Sequence, residues 1–243
     1  MKLYDDLISE ALGLLAPLGL TELPVGANLA AREGDPNELI LKRDTAFELG
    51  EGSYPSVSIT AVTQSEALIP KDSVVLCGAD LDHIKSDCAY ARVTLLRTDD
   101  ILEKGEQAAY ARIKRLETQK FRIGAEGYMM RPSAMTNREQ VRVSSRAVKS
   151  GLRFQGVGNL LVQAYRRDPH VRAVQVIFVT APQAPYRALD ALADQIAVRT
   201  KMLDHALADV SMNCRACEWK PVCDAVEGMK ELHQQRMNKE ETQ

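Results

Sequence analysis

Apolar residues keep helical spacing from the start of the chain. Leu3, Leu7, Ile8, Ala11, Leu14 and Leu15 share one face, which predicts a helix over 3–16. The stretch from Pro17 to Asn37 holds Pro24, Gly26, Gly34 and Pro36 and reads as a loop or linker. Short apolar bursts bounded by turn residues follow at Glu38–Leu41, Ala46–Leu49, Val57–Val62 and Val74–Cys77, and each predicts a strand. Gly50 and Gly52 around Glu51 allow a tight turn between two of them. From residue 90 the rhythm changes to strand–helix alternation. Tyr90–Arg97 reads as a strand and Leu102–Glu117 as a helix with Ala108, Ala109, Ile113 and Leu116 on its apolar face. Gln140–Ser144 is a strand, Arg146–Lys149 a brief helix closed by Gly151, and Val157–Tyr165 a helix. Val171–Thr180 is the most apolar strand, and Tyr186–Leu207 a long helix.

This order predicts an α/β fold, with α+β as the alternative: a mixed sheet with flanking helices, a β-rich N-terminal part and a C-terminal cysteine knuckle. The expected segments are an N-terminal helix and linker at 1–37, an α/β domain at 38–209, the knuckle at 210–233 and a frayed tail at 234–243. At 45% apolar and 26% charged residues the composition is that of a soluble globular protein. No apolar run approaches the roughly 20 residues needed to span a bilayer. The first residues carry acids where a secretory signal needs bases, so the expected compartment is the cytoplasm. A net charge of −2 gives no global attraction to nucleic acid or an anionic membrane, and neither is expected as a partner.

Locally the charge is uneven. Between Arg112 and Arg172 there are fourteen basic residues, mostly arginine, against Glu117, Glu126, Glu139 and Asp168. Gly124, Gly127, Gly151, Gly156 and Gly158 lie among them. Glycine lets backbone approach a ligand and the arginine fork grips phosphate or carboxylate, so an anionic cofactor or an acidic protein partner both fit. A solvated basic face fits as well. Dinucleotide and P-loop glycine patterns are absent, as are HExxH and GxSxG. His83, His170 and His205 are scattered, and Tyr128-Met129-Met130 reads as packing.

The chemistry concentrates near the C-terminus, in Met212-Asn213-Cys214-Arg215-Ala216-Cys217-Glu218-Trp219-Lys220-Pro221-Val222-Cys223-Asp224. Three of five cysteines are spaced C-x2-C-x5-C around the only tryptophan. An odd, clustered set argues for metal ligands or reduced thiols over a disulfide scaffold. Thiolates aimed at one point suit a soft metal, and three on a short loop cover three corners of a [4Fe–4S] cluster. Zinc is the alternative, and inert thiols are the bland one. Trp219 and Pro221 fit a bulky cluster under an apolar lid. His233, Cys88 and Cys77 are the candidates for a fourth ligand; Cys77 reads as a core cysteine and Cys88 as lying in a polar turn.

Several stretches, in order, resemble the β subunit of the CO dehydrogenase/acetyl-CoA synthase complex: Arg43 to Gly50, Cys77 to Ile84, Glu126-Gly127, Val141 to Ser144 through Gly151 to Phe154, and Val174 to Thr180. The resemblance runs over roughly residues 38–233, through the family's middle domain into its first cluster-binding motif. It implies a [4Fe–4S] cubane on Cys214, Cys217 and Cys223, with a shorter second gap than the family's and His233 where the fourth cysteine falls. The family's Cys-Gly-Cys nickel motif lies further C-terminal than this sequence reaches. The implied role is a small iron–sulfur protein without the nickel site, an accessory or electron-transfer subunit beside a larger complex partner in anaerobic C1 or nickel metabolism. The family's arginine-rich surface binds coenzyme A, and Arg142 and Arg153 match it best here. One alternative is a binding module for coenzyme A or a protein partner, with a structural zinc or iron–sulfur knuckle. Another is a RecB-like iron–sulfur nuclease with Cys88 as distal ligand; such an enzyme needs paired acids and a lysine at a metal site, which Glu38 to Lys42 does not cleanly present.

Overall fold

A computed structural model of the chain describes residues 2–26, 32–50, 52–99, 101, 106–132 and 138–205. The strands are β1 (Thr21–Leu23), β2 (Thr45–Leu49), β3 (Ser56–Thr63), β4 (Ser73–Cys77), β5 (Tyr90–Thr98), β6 (Tyr128–Pro132), β7 (Glu139–Ser144) and β8 (Val171–Val179). The α-helices are α1 (Asp5–Leu15), α2 (Glu106–Gln119), α3 (Ser145–Lys149), α4 (Phe154–Arg166) and α5 (Tyr186–His205). Five strands form one sheet in the order β1-β4-β8-β5-β3, and three form a second in the order β2-β7-β6. In the larger sheet β4 and β8 run parallel, as do β3 and β5, while β5 meets β8 and β1 meets β4 antiparallel. The architecture is therefore α/β, with a mixed sheet and a second, antiparallel one. No helix among the described residues is long and apolar enough to cross a membrane.

Burial explains the sequence patterns. Every residue of β3 and β4 is buried, and such strands read as continuous apolar or β-branched runs because both faces are covered. β7 alternates buried and half-buried residues, as a strand with one covered face does. One face of the larger sheet carries Tyr90, Arg92 and Thr94 of β5 beside Ser56, Ser58 and Thr60 of β3. On that face lie α4, whose Phe154 ring stacks on Phe178 at 4.4 Å, and the second sheet, through Ser56 Oγ donating to the Glu139 carbonyl at 2.8 Å. The opposite face carries Thr63, whose hydroxyl donates to Asp5 of α1 at 2.7 Å. There α1 is locked to α5 by Tyr4–Thr200 at 2.8 Å and a two-pronged Arg199–Asp6 pair at 2.5 and 2.6 Å. Leu3, Leu7, Ile8 and Leu15 join the same core as the sheet, so the N-terminal helix is part of the domain rather than an appendage.

Three local expectations change. The linker holds β1, which is too short to show a period and is bracketed by Gly19 and Pro24; it forms because β4 offers an unpaired edge. Glu38–Leu41 forms no strand. Ile40 is 3% exposed while Leu39 and Leu41 are 59% and 43% exposed, so the alternation is present, but the ladder partner of β2 is β7. Tyr128-Met129-Met130 packs as expected, yet does so as β6. The Gly50 turn is as read, with φ at +69°, in the left-handed region that glycine tolerates.

Gly158 shows how closely α4 approaches the sheet. A Cβ there would lie 2.5 Å from Val74 Cγ1 and 3.2 Å from the Phe178 ring. Gly158→Ala should therefore destabilise the fold by about 1–3 kcal/mol despite alanine's better helix propensity, measured as a lower urea midpoint. A neutral or stabilising result would mean the helix can lift off the sheet.

Candidate ligand-binding site

The parallel register of β3 and β5 sets Ser58 beside Arg92 and Thr60 beside Thr94. Arg92 lies in mid-strand, and its side chain is fully buried. Its Nη2 donates to Glu139 Oε2 at 2.6 Å and its Nη1 to the Met130 sulfur at 3.1 Å. A second cation joins the same carboxylate. Lys120, in the 3-10 turn Lys120–Arg122 that ends α2, donates to Ser58 Oγ and has Nζ 3.4 Å from Glu139 Oε2. Its side chain is 10% exposed. Above them Tyr90 and Tyr128 share a hydroxyl–hydroxyl bond of 3.0 Å.

Two cations thus share one buried carboxylate, leaving a charge of +1 among buried side chains. Isolated charge is costly to bury, and an ion pair offsets that only when balanced. The consequence appears in Lys120, whose pKa burial pulls from 10.5 down to about 8; Glu139 opposes the fall and Arg92 adds to it. For Arg92 burial works against the charge, but Glu139 leads the opposing influences and the guanidinium ends above its usual value. Burial pushes the Tyr165 phenol up to about 12 and raises Tyr90 and Tyr128 as well, so all three stay neutral hydroxyls.

Lys120 and Ser58 line a cavity of about 300 Å3. Ser58, Ile59 and Thr60 line it consecutively, which places it against the edge of β3 rather than on either face, since alternate residues point apart. β3 is the terminal strand of its sheet. The charged groups around the cavity are Lys114 and Glu117 of α2, Lys120, Arg138 ahead of β7, and Lys201 of α5. Lys114 is paired with Glu117 at 2.6 Å. Arg138 and Lys201 meet no acid among the described residues. Phe121, Ala193 and Ile196 supply apolar wall. An apolar-backed recess of this size with converging cations suits a small organic anion, a carboxylate or a phosphate. A larger recess of about 370 Å3 beside Gly127 mixes Arg32 and Arg146 with Glu38 and Glu126, so it has no such bias.

The arginine-rich stretch is not one basic face. Arg142, Arg153, Arg166, Arg167 and Arg172 pair with Glu48, Asp82, Asp72, Glu33 and Asp99, all from the first hundred residues. Arg142 lies on β7, 3.0 Å from Glu48; Arg153 lies just before α4, 2.9 Å from Asp82, and donates to the Leu152 carbonyl at 2.8 Å. Neither lines the cationic cavity. Cys77 is buried at the end of β4, as expected of a core cysteine, and Cys88 is half-buried. Burial pushes the Cys88 thiol up to about 11, with Asp87 adding to it, so a metal's own charge would have to make the thiolate there. Cys214, Cys217, Cys223 and His233 lie outside the described residues. Among the described residues no three histidine, cysteine or acidic side chains are placed to hold a metal ion.

In the sequence Lys120 and Glu139 stand only as opposing charges in the arginine-rich stretch, and no motif marks Ser58 or Lys201. One signal was available. Arg92 is a lone charge inside the apolar run Tyr90-Ala91-Arg92-Val93-Thr94-Leu95-Leu96, and a charge in a buried strand demands a partner. No family model matches the chain, and comparison with curated proteins gives no match.

Proposed function

We propose that the chain is a binding module for a small organic anion, held in the cavity at the β3 edge. The observation that carries this reading is the unbalanced cation: Lys120 shares the Glu139 carboxylate with Arg92 and lines a recess whose outer charges, Arg138 and Lys201, are positive and unpaired among the described residues. An anion would supply the missing charge. The resemblance to the acetyl-CoA synthase β subunit makes coenzyme A one ligand to try, and its phosphates suit the cations at the mouth. Calorimetry with coenzyme A, inorganic phosphate and pyruvate should give saturable heat for at least one of them. That heat should weaken as salt rises, and Lys201→Met or Arg138→Gln should lower the affinity about tenfold. No heat from any of the three probes sets the reading aside.

A second reading rests on the cysteines. Cys214, Cys217 and Cys223 with the C-x2-C-x5-C spacing support a [4Fe–4S] knuckle, closed by His233 or Cys88, on an accessory or electron-transfer subunit of a larger complex. On this reading the compartment is the cytoplasm, where thiols stay reduced. Anaerobic purification with iron, sulfide and zinc analysis and EPR tests it on the parent, His233→Ala and Cys88→Ala. Loss of cluster in one variant names the fourth ligand. Stoichiometric zinc without sulfide sinks the cluster.

A further inference from the structure

We propose that Lys120 is a nucleophilic amine that forms an imine with a small carbonyl compound carrying a carboxylate or phosphate. This rests on the anion-binding reading and names the ligand's reacting group. Three features of the site support it.

First, the Lys120 side chain is only 10% exposed and shares its carboxylate with the Arg92 guanidinium. Desolvation and a neighbouring cation are the two ways a lysine is kept neutral and therefore nucleophilic, and its fall to about 8 follows from both. Second, the proton-handling groups are in place. Glu139 Oε2 is 3.4 Å from Nζ, and Ser58 Oγ accepts from Nζ. Third, the recess in front of Lys120 is bordered by Arg138 and Lys201, which can hold a ligand's anionic end and hold its carbonyl near the amine. A lysine kept only for the fold needs none of this; the Arg92–Glu139 pair is balanced without it.

The step balances without an oxidant or reductant. The Nζ lone pair bonds to the carbonyl carbon, and the C=O π pair moves to oxygen, which takes a proton from solvent. Nitrogen gives a proton to the Glu139 carboxylate, leaving a carbinolamine. Glu139 returns that proton to the departing hydroxyl, the C–O bond breaks, water leaves, and the nitrogen lone pair closes the C=N bond. The product is a protonated imine, whose positive charge sits where the ammonium was and keeps Glu139 as its counter-ion.

The test uses the full chain with pyruvate, glycolaldehyde phosphate or uncharged acetaldehyde, each reduced with borohydride and read by intact mass and peptide mapping. The expected result is one secondary-amine adduct per chain, on Lys120, formed at least tenfold faster with a charged carbonyl than with acetaldehyde. The faster of pyruvate and glycolaldehyde phosphate distinguishes a carboxylate-bearing ligand from a phosphate-bearing one. Lys120→Met and Lys120→Arg should lose the adduct while keeping the parent's circular dichroism. Arg138→Gln should slow it several-fold with the charged probes and leave the acetaldehyde rate unchanged. Adducts scattered over surface lysines, or labelling undiminished in Lys120→Met, overturn the imine. Saturable heat with phosphate or pyruvate but no adduct overturns it while leaving anion binding standing. Neither heat nor adduct overturns both.

Discussion

Glu139→Gln should lower stability more than any other near-isosteric change in the buried cluster, by about 3–5 kcal/mol, read as a drop in urea midpoint at unchanged slope. The amide keeps the shape of the carboxylate but removes the anion that Arg92 and Lys120 share. Arg92 stays charged at any accessible pH, so its cost cannot be relieved by deprotonation. Lys120 can shed its proton, which makes the guanidinium the residual problem. Against a total stability of roughly 5–15 kcal/mol for a domain, the variant sits near the edge of folding.

Lys120→Met is the informative contrast. Methionine has a similar length and leaves Arg92 and Glu139 as a balanced pair at 2.6 Å; Ser58 loses its donor, Glu139 its second cation, and the Phe121 ring a cation 5.0 Å from its centre. The expected stability lies within about 1 kcal/mol of the parent, or above it. A side chain that can be replaced without loss, and whose charge the fold must bear, is one retained for something other than folding. If Lys120→Met costs as much as Glu139→Gln, the lysine is a structural counter-charge, and the cavity loses its main argument.

The elements were readable in the sequence wherever burial imposes a period. β3, β4, β5, β8 and the long helices follow from apolar runs and spacing, because both sheet faces are covered and each helix buries one stripe. β1 was not readable, because three residues carry no period and the strand depends on the free edge of β4. The site was readable least. The count of fourteen bases was correct, but the acids that neutralise many of them, such as Glu33, Glu48 and Asp99, come from distant parts of the chain. The cations around the cavity come from α2, the turn after it, the residue before β7, and α5, through packing that local sequence does not encode. Arg92 announced itself, as a charge in the middle of a buried strand whose other charge, Arg97, lies near its end and pairs with Glu66.

The pH dependence of stability should separate Lys120 from the rest of the molecule. Its folded pKa of about 8 lies below its ordinary 10.5, so in that window the unfolded chain carries a proton that the folded chain does not. Stability from this group therefore rises with pH: the penalty is fully present below about 8 and relieved on the way to 10.5, at most about 3 kcal/mol in all. The charges that set this are Glu139 from β7, Arg92 from β5 and Glu117 from α2, with the neutral Ser58 of β3 as hydrogen-bond partner. Other groups act in the opposite sense. Cys77, Cys88 and the buried tyrosines 90, 128 and 165 all have pKa values raised by burial. The unfolded chain loses those protons first, and stability falls as pH climbs past their ordinary values. The parent curve alone is thus a sum of opposing slopes, whereas Lys120→Met carries every slope but one. Parent minus variant, measured by urea unfolding between pH 7 and 11, should climb with pH from about 8 and flatten near 10.5. A flat difference would mean that the amine is solvated and unperturbed, and a falling one that Glu139 holds it charged; either result removes the neutral lysine on which the imine chemistry depends.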